Sequence, residues 1–560
     1  MAVSSFGLSE LKPHASFQAP SGPVCLVVLD GVGLAAPSPT NAWHLADTPT
    51  LDALMLGPIV GRLRAHGTAV GMPSDKDMGN SEVGHNALGA GRVFDQGAKL
   101  VDEAIRSGRV FESRAWREAM SAVSLGGTLH LIGLWSDGNV HSHVDHPYAL
   151  MKRAASEGAR RIRVHPLLDG RDVGATTALD YVAPLEAELK RLRDSGVDAQ
   201  IASGGGRMCT TMDRYEADWS IVARGWEAHV HGRARRFDSA TQAIETFRAE
   251  EPGVIDQNLP AFVVADAGGP VGPIRDGDAV LLFNFRGDRA IEISRAFDTP
   301  AGEAFPFDRG EVPAVCFAGM MEYDGDLHIP QRYLVEPPSI DRTVGEFLAL
   351  NGLKQVACSE TQKFGHVTYF FNGNRSGAFE PNLERYIELP SDNVDFALKP
   401  DMQAEGITTE TLRAIDEMQP HFVRLNYANG DMVGHTGVLS AAIKSMEALD
   451  RALARLLQGI NARGGIALVT ADHGNCEEMA QLDKQTGEPL TGPSAEGYRP
   501  STSHSLNPVP LVVTGAGLPK GVTWREPSGG ALLSHVSATC INLMGYQTPE
   551  GYLPGLLRRR

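Results

Sequence analysis

Short apolar runs recur along the chain and alternate with segments of helical periodicity. Apolarity within each run is continuous rather than alternating, which is typical of strands buried on both faces of a parallel sheet flanked by helices. Between two runs, apolar residues from Ile443 to Ile460 mark one helix face, and Arg463-Gly464-Gly465 ends that helix. The pattern predicts an α/β fold, with strands at Val24–Leu29, Thr128–Leu134, Arg161–Leu168, Ala261–Ala265, Ala279–Phe285, Phe422–Leu425, Ile466–Thr470 and Val509–Thr514.

Six of these runs lead into polar residues that can bind a ligand. In open α/β sheets, ligands bind outside the carboxyl ends of the strands, so six such ends predict two large active surfaces. Pro337-Pro338 is the clearest candidate linker. The polar groups after the runs are Asp30; Ser136-Asp137-Gly138 with His141; Asp169-Gly170-Arg171-Asp172; Arg286-Gly287-Asp288-Arg289; Asp431 with His435; and Asp472-His473.

Composition narrows the class of protein. The 560 residues carry 51 Lys and Arg against 68 Asp and Glu, a formal net charge of −17, which excludes a generally basic nucleic-acid or membrane-surface binder. The six cysteines form no C-x-x-C pair, which excludes a disulfide framework and a cysteine zinc site. No apolar run is long enough to span a bilayer, and the first twenty residues lack the apolar core of a signal peptide. We therefore expect a cytoplasmic enzyme.

Asp and His side chains near the strand ends are candidate metal ligands. Asp431 and His435 are four residues apart, so in a helix they share one face and can share an ion. Carboxylate and imidazole ligands without thiolate suit Mn²⁺, Co²⁺, Zn²⁺ or Mg²⁺ and do not select among them. Each residue alone is more often a turn former or a hydrogen-bonded core residue, so the set carries the prediction of a two-metal site. The set is Asp30, Asp431, His435, Asp472, His473 and His504.

Ser81 begins a predicted helix within Met78–His85. The N-terminus of a helix favours a bound phosphate, although an ordinary N-cap serine is the better interpretation of this residue by itself. Serine needs a base or a metal to become a nucleophile, and a metal pair would also clamp an in-line phosphoryl displacement. Ser81 is therefore a candidate nucleophile only together with the Asp and His set.

Several arginines occupy strand-end or turn positions, namely Arg171, Arg214, Arg286 and Arg289. The guanidinium fork binds carboxylate and phosphate in a bidentate manner, which a lysine ammonium does not. A solvated surface arginine is the common alternative for each residue alone. Their position beside acidic turns favours an anion-binding site.

These motifs together resemble the cofactor-independent (2,3-bisphosphoglycerate-independent) phosphoglycerate mutases of the alkaline phosphatase superfamily. The similarity runs in family order from about Val24 to near the end of the chain. The matching segments are Leu29–Gly33, Gly79–His85, Ser136–His143, Asp169–Asp172, Met212–Arg214, Phe283–Arg289, Asn426–His435, Thr470–Asn475 and His504 before Asn507-Pro508.

The resemblance implies roles for individual residues. It makes Ser81 the serine that is phosphorylated, and it places one ion on Asp431, His435 and His504. It places the other ion on Asp30, Ser81, Asp472 and His473. It further implies an inserted phosphotransferase domain over residues 96–336 within a discontinuous phosphatase-like, metal-binding domain of residues 1–95 and 337–560. The implied substrate contacts are His141, Arg171, Asp172, Arg207, Arg214, Arg286, Arg289 and Lys363.

From this resemblance we expect interconversion of 3-phosphoglycerate and 2-phosphoglycerate through a phosphoserine. We also expect two divalent metal ions, of which Mn²⁺ is the first choice and Co²⁺ and Mg²⁺ are the alternatives. Asp172 is expected to act as general acid and base, and Lys363 and Arg286 to stabilise charge on the transferring group. The expected partner is the small-molecule substrate alone, with no nucleic acid or membrane, and the chain is expected to be a monomer.

Two departures from the bacterial pattern fit a longer, plant-like variant of the family. Arg207 and Arg214 are seven residues apart, and Gly287 stands where bacterial members often have proline. Three alternatives stay open. The first is another two-metal phosphomutase or a phosphatase of the same superfamily. The second is a dinucleotide-dependent oxidoreductase, suggested by Gly31-Val32-Gly33 and Gly204–Gly206. The third is a non-catalytic protein that binds a phosphorylated metabolite.

Overall fold

The chain forms two compact units in the computed structural model. The first unit comprises Met1–Gln96 and Ser339–Arg560, and the second comprises Gly97–Pro338. The domain bounds expected from the sequence, after residues 95 and 336, lie within two residues of these limits, and the candidate linker Pro337-Pro338 lies outside the described residues. The structure describes residues 10–72, 74–95, 97–214, 218–323, 328–336, 340–483, 486–492, 494 and 496–559.

The predicted α/β fold is confirmed, because strands and helices alternate through both units. In chain order the strands are β1 Val24–Leu29, β2 Val60–Leu63, β3 Leu129–Leu134, β4 Arg161–Leu168, β5 Asp198–Ile201, β6 Ser203–Gly206, β7 Arg235–Phe237, β8 Phe262–Asp266, β9 Gly269–Pro270, β10 Ala279–Leu282, β11 Cys316–Met321, β12 Tyr333–Val335, β13 Gln355–Glu360, β14 Glu384–Leu389, β15 Phe422–Tyr427, β16 Ile466–Thr470, β17 Val509–Thr514, β18 Val522–Trp524 and β19 Leu557–Arg559.

The helices lie between these strands, and within the described residues no helix has the length and apolar character needed to cross a membrane. They are α1 Ala42–Leu45, α2 Pro49–Met55, α3 Ser81–Ala90, α4 Gly97–Ser107, α5 Arg109–Glu112, α6 Arg114–Ser124, α7 Asp145–Ser156, α8 Ala178–Asp194, α9 Trp219–His229, α10 Ala240–Glu250, α11 Ile291–Asp298, α12 Val344–Leu350, α13 Thr361–Gly365, α14 Ala404–Met418, α15 Asn429–Gly434, α16 Leu439–Ala462 and α17 Ser534–Leu543.

The first unit is built on a sheet with the strand order β14-β13-β15-β1-β16-β17-β2. The strands from β14 to β16 are parallel, and the continuous apolar run of β1 is buried along its whole length. Helix α16 buries the apolar face that the sequence predicted, from Met446 to Ile460. One detail of the prediction was wrong, since β17 pairs antiparallel with β16 rather than parallel.

The second unit has its own sheet, in the order β12-β11-β10-β3-β4-β6-β8-β7. The strands from β12 to β6 run parallel, whereas β8 pairs antiparallel with β6. The predicted strand at Ala261–Ala265 therefore exists as β8 but does not continue the parallel part of the sheet. Strands β3, β4 and β10 are adjacent, so their carboxyl ends lie at one edge of this sheet.

Candidate functional site

Ser81 is the first residue of helix α3, and its hydroxyl does not cap that helix. The cap is Asn80, whose side-chain oxygen accepts hydrogen bonds from two backbone N–H groups of the first turn. The interpretation of Ser81 as an ordinary N-cap is therefore wrong. Its buried hydroxyl instead lies 3.0 Å from His473 Nε2 and 3.2 Å from Asp30 Oδ1.

Three carboxylates from neighbouring strands lie beside this hydroxyl. Asp30 directly follows β1, Asp472 comes two residues after β16, and Asp431 lies in α15, after β15. Because β15, β1 and β16 are adjacent and parallel, their carboxyl ends share one edge of the sheet. All three carboxylates are buried, and His473 Nε2 lies 3.5 Å from Asp30, 3.8 Å from Asp472 and 3.9 Å from Asp431.

Lys363 adds one positive charge to this group. Its Nζ lies 2.5 Å from Ser81 Oγ, 2.7 Å from Asp431 Oδ2 and 2.9 Å from Asp30 Oδ1. One ammonium against the three carboxylates of Asp30, Asp431 and Asp472 leaves two negative charges in a buried group, which is costly without further cations. The charge balance therefore fits divalent metal ions.

The protonation of these carboxyl groups follows from their surroundings. Burial, reinforced by the Asp472 carboxylate, raises the pKa of Asp30 to about 6. Burial also acts on Asp472 and Asp431, but imidazoles and the Lys363 ammonium outweigh it and hold both pKa values below their ordinary range. Two of the three carboxyl groups are thus firmly ionised, as metal ligands must be.

The predicted ligands Asp431, His435 and His504 meet in one cluster. His435 Nε2 and His504 Nε2 lie 3.0 Å and 3.1 Å from Asp431 Oδ1, and the two Nε2 atoms are 3.1 Å apart. Each ring donates its Nδ1–H to a backbone carbonyl, of Thr502 at 2.6 Å and of Gly79 at 2.8 Å. In the neutral form that a metal ligand requires, each Nε2 has a lone pair that can bind a cation. Such a group of acceptors fits a bound cation.

The second predicted ligand set also converges, around Asp30. Its members are Ser81, Asp472 and His473, whose contacts with Asp30 or with one another are given above. His85 joins them, because its Nδ1 lies 2.7 Å from the Ser81 carbonyl oxygen and 3.3 Å from Asp472 Oδ2. Ligand atoms of Asp30, His85 and Asp472 lie within 4.8 Å of one another.

Sequence reasoning did not single out His85 or the residues that orient the carboxylates. Asn426 donates to Asp30 Oδ2 at 2.6 Å, and Asn475 donates to Asp431 Oδ1 at 3.0 Å. The buried Glu477 accepts from the backbone N–H groups of Gly33 and Asn475, both at 2.9 Å. Only one indication of these residues was present in the sequence, which is that each lies in or beside a motif that contains a predicted metal ligand.

The second unit gathers the remaining predicted residues at the carboxyl ends of its strands. Asp169 follows β4 and accepts the backbone N–H groups of Arg171 and Asp172, both at 3.1 Å. Arg207, which follows β6, donates to Asp169 Oδ1 at 2.8 Å and forms a second ion pair with Asp172. Burial opposes ionisation of Asp172, but the Arg207 guanidinium outweighs burial and holds the pKa of Asp172 well below the ordinary range.

Asp288 organises a second cluster in this unit. Its carboxylate lies 3.2 Å from Arg214 Nε, 3.2 Å from Arg286 Nε and 3.4 Å from His141 Nδ1. Burial and the nearby Arg207 lower the pKa of His141 to about 3, so its imidazole is neutral at pH 7. The Asp288 carboxylate stays ionised, because the guanidinium groups of Arg286 and Arg214 hold its pKa well below the usual range despite burial.

Arg289 shows that this unit holds excess positive charge. Its Nη1 donates to the Met212 carbonyl oxygen at 2.8 Å. Burial, together with the guanidinium groups of Arg171, Arg207 and Arg214, pushes its pKa well below the usual range. Guanidinium groups do not lose their proton in proteins, so this shift indicates a local demand for an anion. The five predicted arginines outnumber the carboxylates of Asp169, Asp172 and Asp288 by two.

The glycine segments do not form a dinucleotide site. After Gly33, the next helix is the four-residue α1, which begins only at Ala42. Gly204–Gly206 lie inside strand β6, and a Cβ on Gly206 would come within 2.3 Å of the Gln257 carbonyl oxygen. Neither glycine segment opens a helix toward a phosphate, so the oxidoreductase interpretation is wrong.

Comparison with known proteins shows the family to which the chain belongs. A model of the metalloenzyme superfamily matches residues 22–548. A probable 2,3-bisphosphoglycerate-independent phosphoglycerate mutase of Leptospira interrogans is 52 % identical over 538 residues, covering 96 % of this chain and 97 % of the relative. The corresponding mutase of Ricinus communis is 50 % identical over 541 residues, covering 95 % and 96 %. The crystal structure of Leishmania mexicana phosphoglycerate mutase at low cobalt concentration has a TM-score of 0.94 at 51 % identity and covers 99 % of this chain and 100 % of that chain.

Proposed function

Because the chain belongs to the 2,3-bisphosphoglycerate-independent phosphoglycerate mutases of the metalloenzyme superfamily, we propose that it interconverts 3-phosphoglycerate and 2-phosphoglycerate through a phosphoserine at Ser81. The observation that carries this assignment is the position of the Ser81 hydroxyl. It is free of helix capping and lies among Asp30, His473 and Lys363, where a nucleophile can be oriented and deprotonated.

Two divalent metal ions fit the donor atoms of the first unit. One would be held by Asp431, His435 and His504, the other by Asp30, Ser81, Asp472 and His473. When bound, such ions lower the pKa of a ligated hydroxyl and neutralise charge on a phosphoryl group. Oxygen and imidazole ligands suit Mn²⁺, and also Co²⁺ or Mg²⁺.

Residues of the first unit orient the nucleophile. The Ser81 oxygen attacks phosphorus as the alkoxide, so an O–P bond to the serine forms and the bond from phosphorus to the glycerate oxygen breaks; the return transfer regenerates the same serine alkoxide. Lys363 Nζ, at 2.5 Å from Ser81 Oγ, holds that oxygen in place and offsets negative charge that develops on the transferring group. His85 fixes the first turn of α3 by donating to the Ser81 carbonyl oxygen.

Residues of the second unit bind the glycerate. Arg207, Arg214, Arg286 and Arg289 supply the positive charge that its carboxylate and phosphate require, and Arg171 extends that cluster. Asp172 carries the proton between the glycerate hydroxyls. Arg207 keeps it ionised and ready to accept that proton, at the cost of a weaker base. The freed glycerate turns, and its other hydroxyl takes the phosphoryl group back from Ser81.

The assay that tests this function follows 3-phosphoglycerate conversion without added 2,3-bisphosphoglycerate. We expect activity before chelation, loss after chelation and recovery with Mn²⁺ or Co²⁺. A requirement for bisphosphoglycerate, or activity insensitive to chelation, contradicts the proposal. Release of inorganic phosphate faster than 2-phosphoglycerate would instead identify a phosphatase of the same superfamily.

The partner of this enzyme is its small-molecule substrate. We further propose that it acts as a monomer in the cytoplasm and that it catalyses this reversible reaction in both glycolysis and gluconeogenesis. Its acidity, with a net charge of −17, does not oppose an anionic substrate, because the arginine cluster of the second unit sets the local sign.

A further inference from the structure

The interior of the second unit contains a continuous row of polar side chains, which we call the histidine row. It begins at Asp278, just before β10, crosses the neighbouring strands β3, β4 and β6, and ends in the turn after β6. Every member is buried. In order, the row consists of Asp278, His130, His165, Ser203, His229 and Thr211.

Each neighbour in the row lies within hydrogen-bond distance of the next. His130 Nε2 lies 3.1 Å from Asp278 Oδ2, and His130 Nδ1 lies 3.0 Å from His165 Nε2. Ser203 Oγ then lies 2.6 Å from His165 Nδ1 and 2.7 Å from His229 Nδ1. The last link joins His229 Nε2 to a threonine hydroxyl, Thr211 Oγ1, at 2.8 Å.

Asp278 sets the direction of all five hydrogen bonds. Its carboxylate already accepts the backbone N–H groups of Thr128 at 2.7 Å and Arg275 at 2.8 Å, so it is ionised and acts as an acceptor only. His130 must then donate through Nε2, which leaves its Nδ1 as an acceptor for His165.

The same argument continues along the row, because each neutral imidazole has one donor and one acceptor nitrogen. His165 donates through Nε2 and accepts from the Ser203 hydroxyl at Nδ1. His229 donates through Nδ1 to Ser203 and accepts at Nε2, so the Thr211 hydroxyl has to donate. One arrangement of protons satisfies every member.

The electrostatic surroundings keep the three rings neutral. Burial is the largest influence, and it lowers the pKa of His130 and His165, and that of His229 to about 3. The guanidinium groups of Arg161 and Arg163 face His130 and oppose a charge there, while Asp278 favours one. Arg163 and the neighbouring rings oppose a charge on His165, as His130 does on His229.

Thr211, at the end of the row, has an unusual backbone. Its φ is +70°, in the left-handed region that a β-branched residue rarely adopts. Its N–H donates to the Ile221 carbonyl oxygen at 2.9 Å, and its side chain packs so closely that a Cβ on Gly225 would lie 2.1 Å from Thr211 Oγ1. The hydrogen bond to His229 thus holds a strained residue in one orientation.

The turn that Thr211 begins carries part of the anion cluster. Met212 follows it, and the Met212 carbonyl oxygen accepts from Arg289 Nη1 at 2.8 Å. Arg214 comes two residues later and lies 3.2 Å from Asp288. A change in the backbone of Thr211 therefore moves the Met212 carbonyl oxygen, which accepts from Arg289. It also moves the backbone that carries Arg214.

We propose that the histidine row is a positioning device for substrate binding, in which the directed hydrogen bond from Thr211 to His229 fixes the 211–214 turn and so aims Arg214 and Arg289 at the substrate anion. This inference rests on the proposed function of the arginine cluster. It assigns Thr211 and His229 as positioning residues at a distance from the reacting atoms.

The neighbouring Thr210 provides a matched control. Its buried hydroxyl has no hydrogen-bond partner among the described residues, so Thr210→Val removes the same group at no hydrogen-bond cost. Thr211→Val removes the hydroxyl that donates to His229, whereas Thr211→Ser keeps a hydroxyl at this position. Loss of a buried hydrogen bond corresponds to about a tenfold effect.

We expect Thr211→Val to raise KM for 3-phosphoglycerate about tenfold with kcat changed less than about threefold, and Thr211→Ser and Thr210→Val to stay within about twofold of wild type. Equal KM values for Thr211→Val and Thr210→Val overturn the inference. Equal losses in kcat and melting temperature without a KM change also overturn it. Wild-type enzyme that requires 2,3-bisphosphoglycerate would contradict the proposed function rather than the row.

A second measurement tests the row on unaltered protein. In the histidine-labelled chain, ¹⁵N chemical shifts of the rings distinguish the two neutral tautomers from the cation. We expect His229 as the Nδ1–H tautomer and His130 and His165 as Nε2–H tautomers at pH 7. A charged ring, or His229 as the Nε2–H tautomer, overturns the assignment of direction even if a variant fails to fold.

Discussion

The Lys363 ammonium lies 2.5 Å from the Ser81 hydroxyl oxygen, and both groups are buried. The same ammonium pairs with Asp431 and Asp30, so it joins the nucleophile to both proposed metal sites. This position supports the proposal that Lys363 stabilises charge on the transferring phosphoryl group. The predictions for the reaction centre follow from this relationship.

Replacement of Lys363 by methionine keeps most of the length of the side chain and removes its charge. We expect kcat to fall by about 10²–10³, because a preorganised cation beside the reacting oxygen is lost. Steady-state kinetics with 3-phosphoglycerate checks this. The control is Lys354→Met, at an exposed lysine that donates to the Met418 carbonyl oxygen, and it should leave kcat unchanged. Equal rates in the two variants would contradict the role of Lys363.

Metal content tests the two ligand sets. We expect wild-type protein to bind two divalent ions per chain. His504→Gln should retain one, because it removes one of the three ligands around Asp431 and leaves the set around Asp30 intact. Elemental analysis after dialysis against Mn²⁺ measures this, alongside activity, which should be lost. Wild-type protein with a single ion, or the variant with two, would be incompatible with the assignment.

Arg289→Lys tests the anion cluster of the second unit. The lysine keeps the charge but loses the guanidinium fork and the hydrogen bond to Met212, so we expect KM for 3-phosphoglycerate to rise at least about tenfold. The matched control is Arg191→Lys, on the exposed face of α8, which should change neither kinetic constant. An unchanged KM in Arg289→Lys would remove this residue from the substrate site.

The continuous apolar runs predicted the α/β class and eight of the nineteen strands that the structure describes, because a strand buried on both faces has a run of consecutive apolar residues. Strand β13 was not predicted, since its residues Gln355–Glu360 mix buried polar and apolar side chains. The role of Lys363, just after that strand, therefore came from family resemblance alone. The antiparallel direction of β17 also was not predictable, because burial on both faces looks alike in either direction.

The positions of candidate site residues were predictable where polar residues follow the end of a strand, as at Asp30, Asp172 and Asp472. The N-cap of α3 could not be assigned, because Asn80 and Ser81 are both good capping residues and only the backbone distinguishes them. The histidine row was invisible in the sequence. Its members lie up to 148 positions apart, and strand order alone brings them together.

The buried histidines predict sensitivity to acid. A ring that stays neutral when folded takes up a proton on unfolding below about pH 6.5, so the free energy of unfolding falls as pH falls below that value. Each such ring contributes a slope of about 1.4 kcal/mol per pH unit. Glutamine does not titrate, so His229→Gln should take up about one proton fewer on unfolding than the wild-type protein. The free energy of unfolding, measured with a denaturant, should therefore change less steeply with pH between about pH 5 and pH 6.5 in this variant. Identical slopes would show that His229 is charged when folded.

The central claim is that Ser81 carries the phosphoryl group during the reaction. Mass spectrometry of protein quenched during turnover of 3-phosphoglycerate tests it directly, with Ser81→Ala as the comparison. We predict a phosphorylated peptide that contains Ser81 in the wild-type protein, and neither that modification nor mutase activity in Ser81→Ala. Turnover by Ser81→Ala at a rate near that of wild type, or phosphate on another residue, would contradict the account.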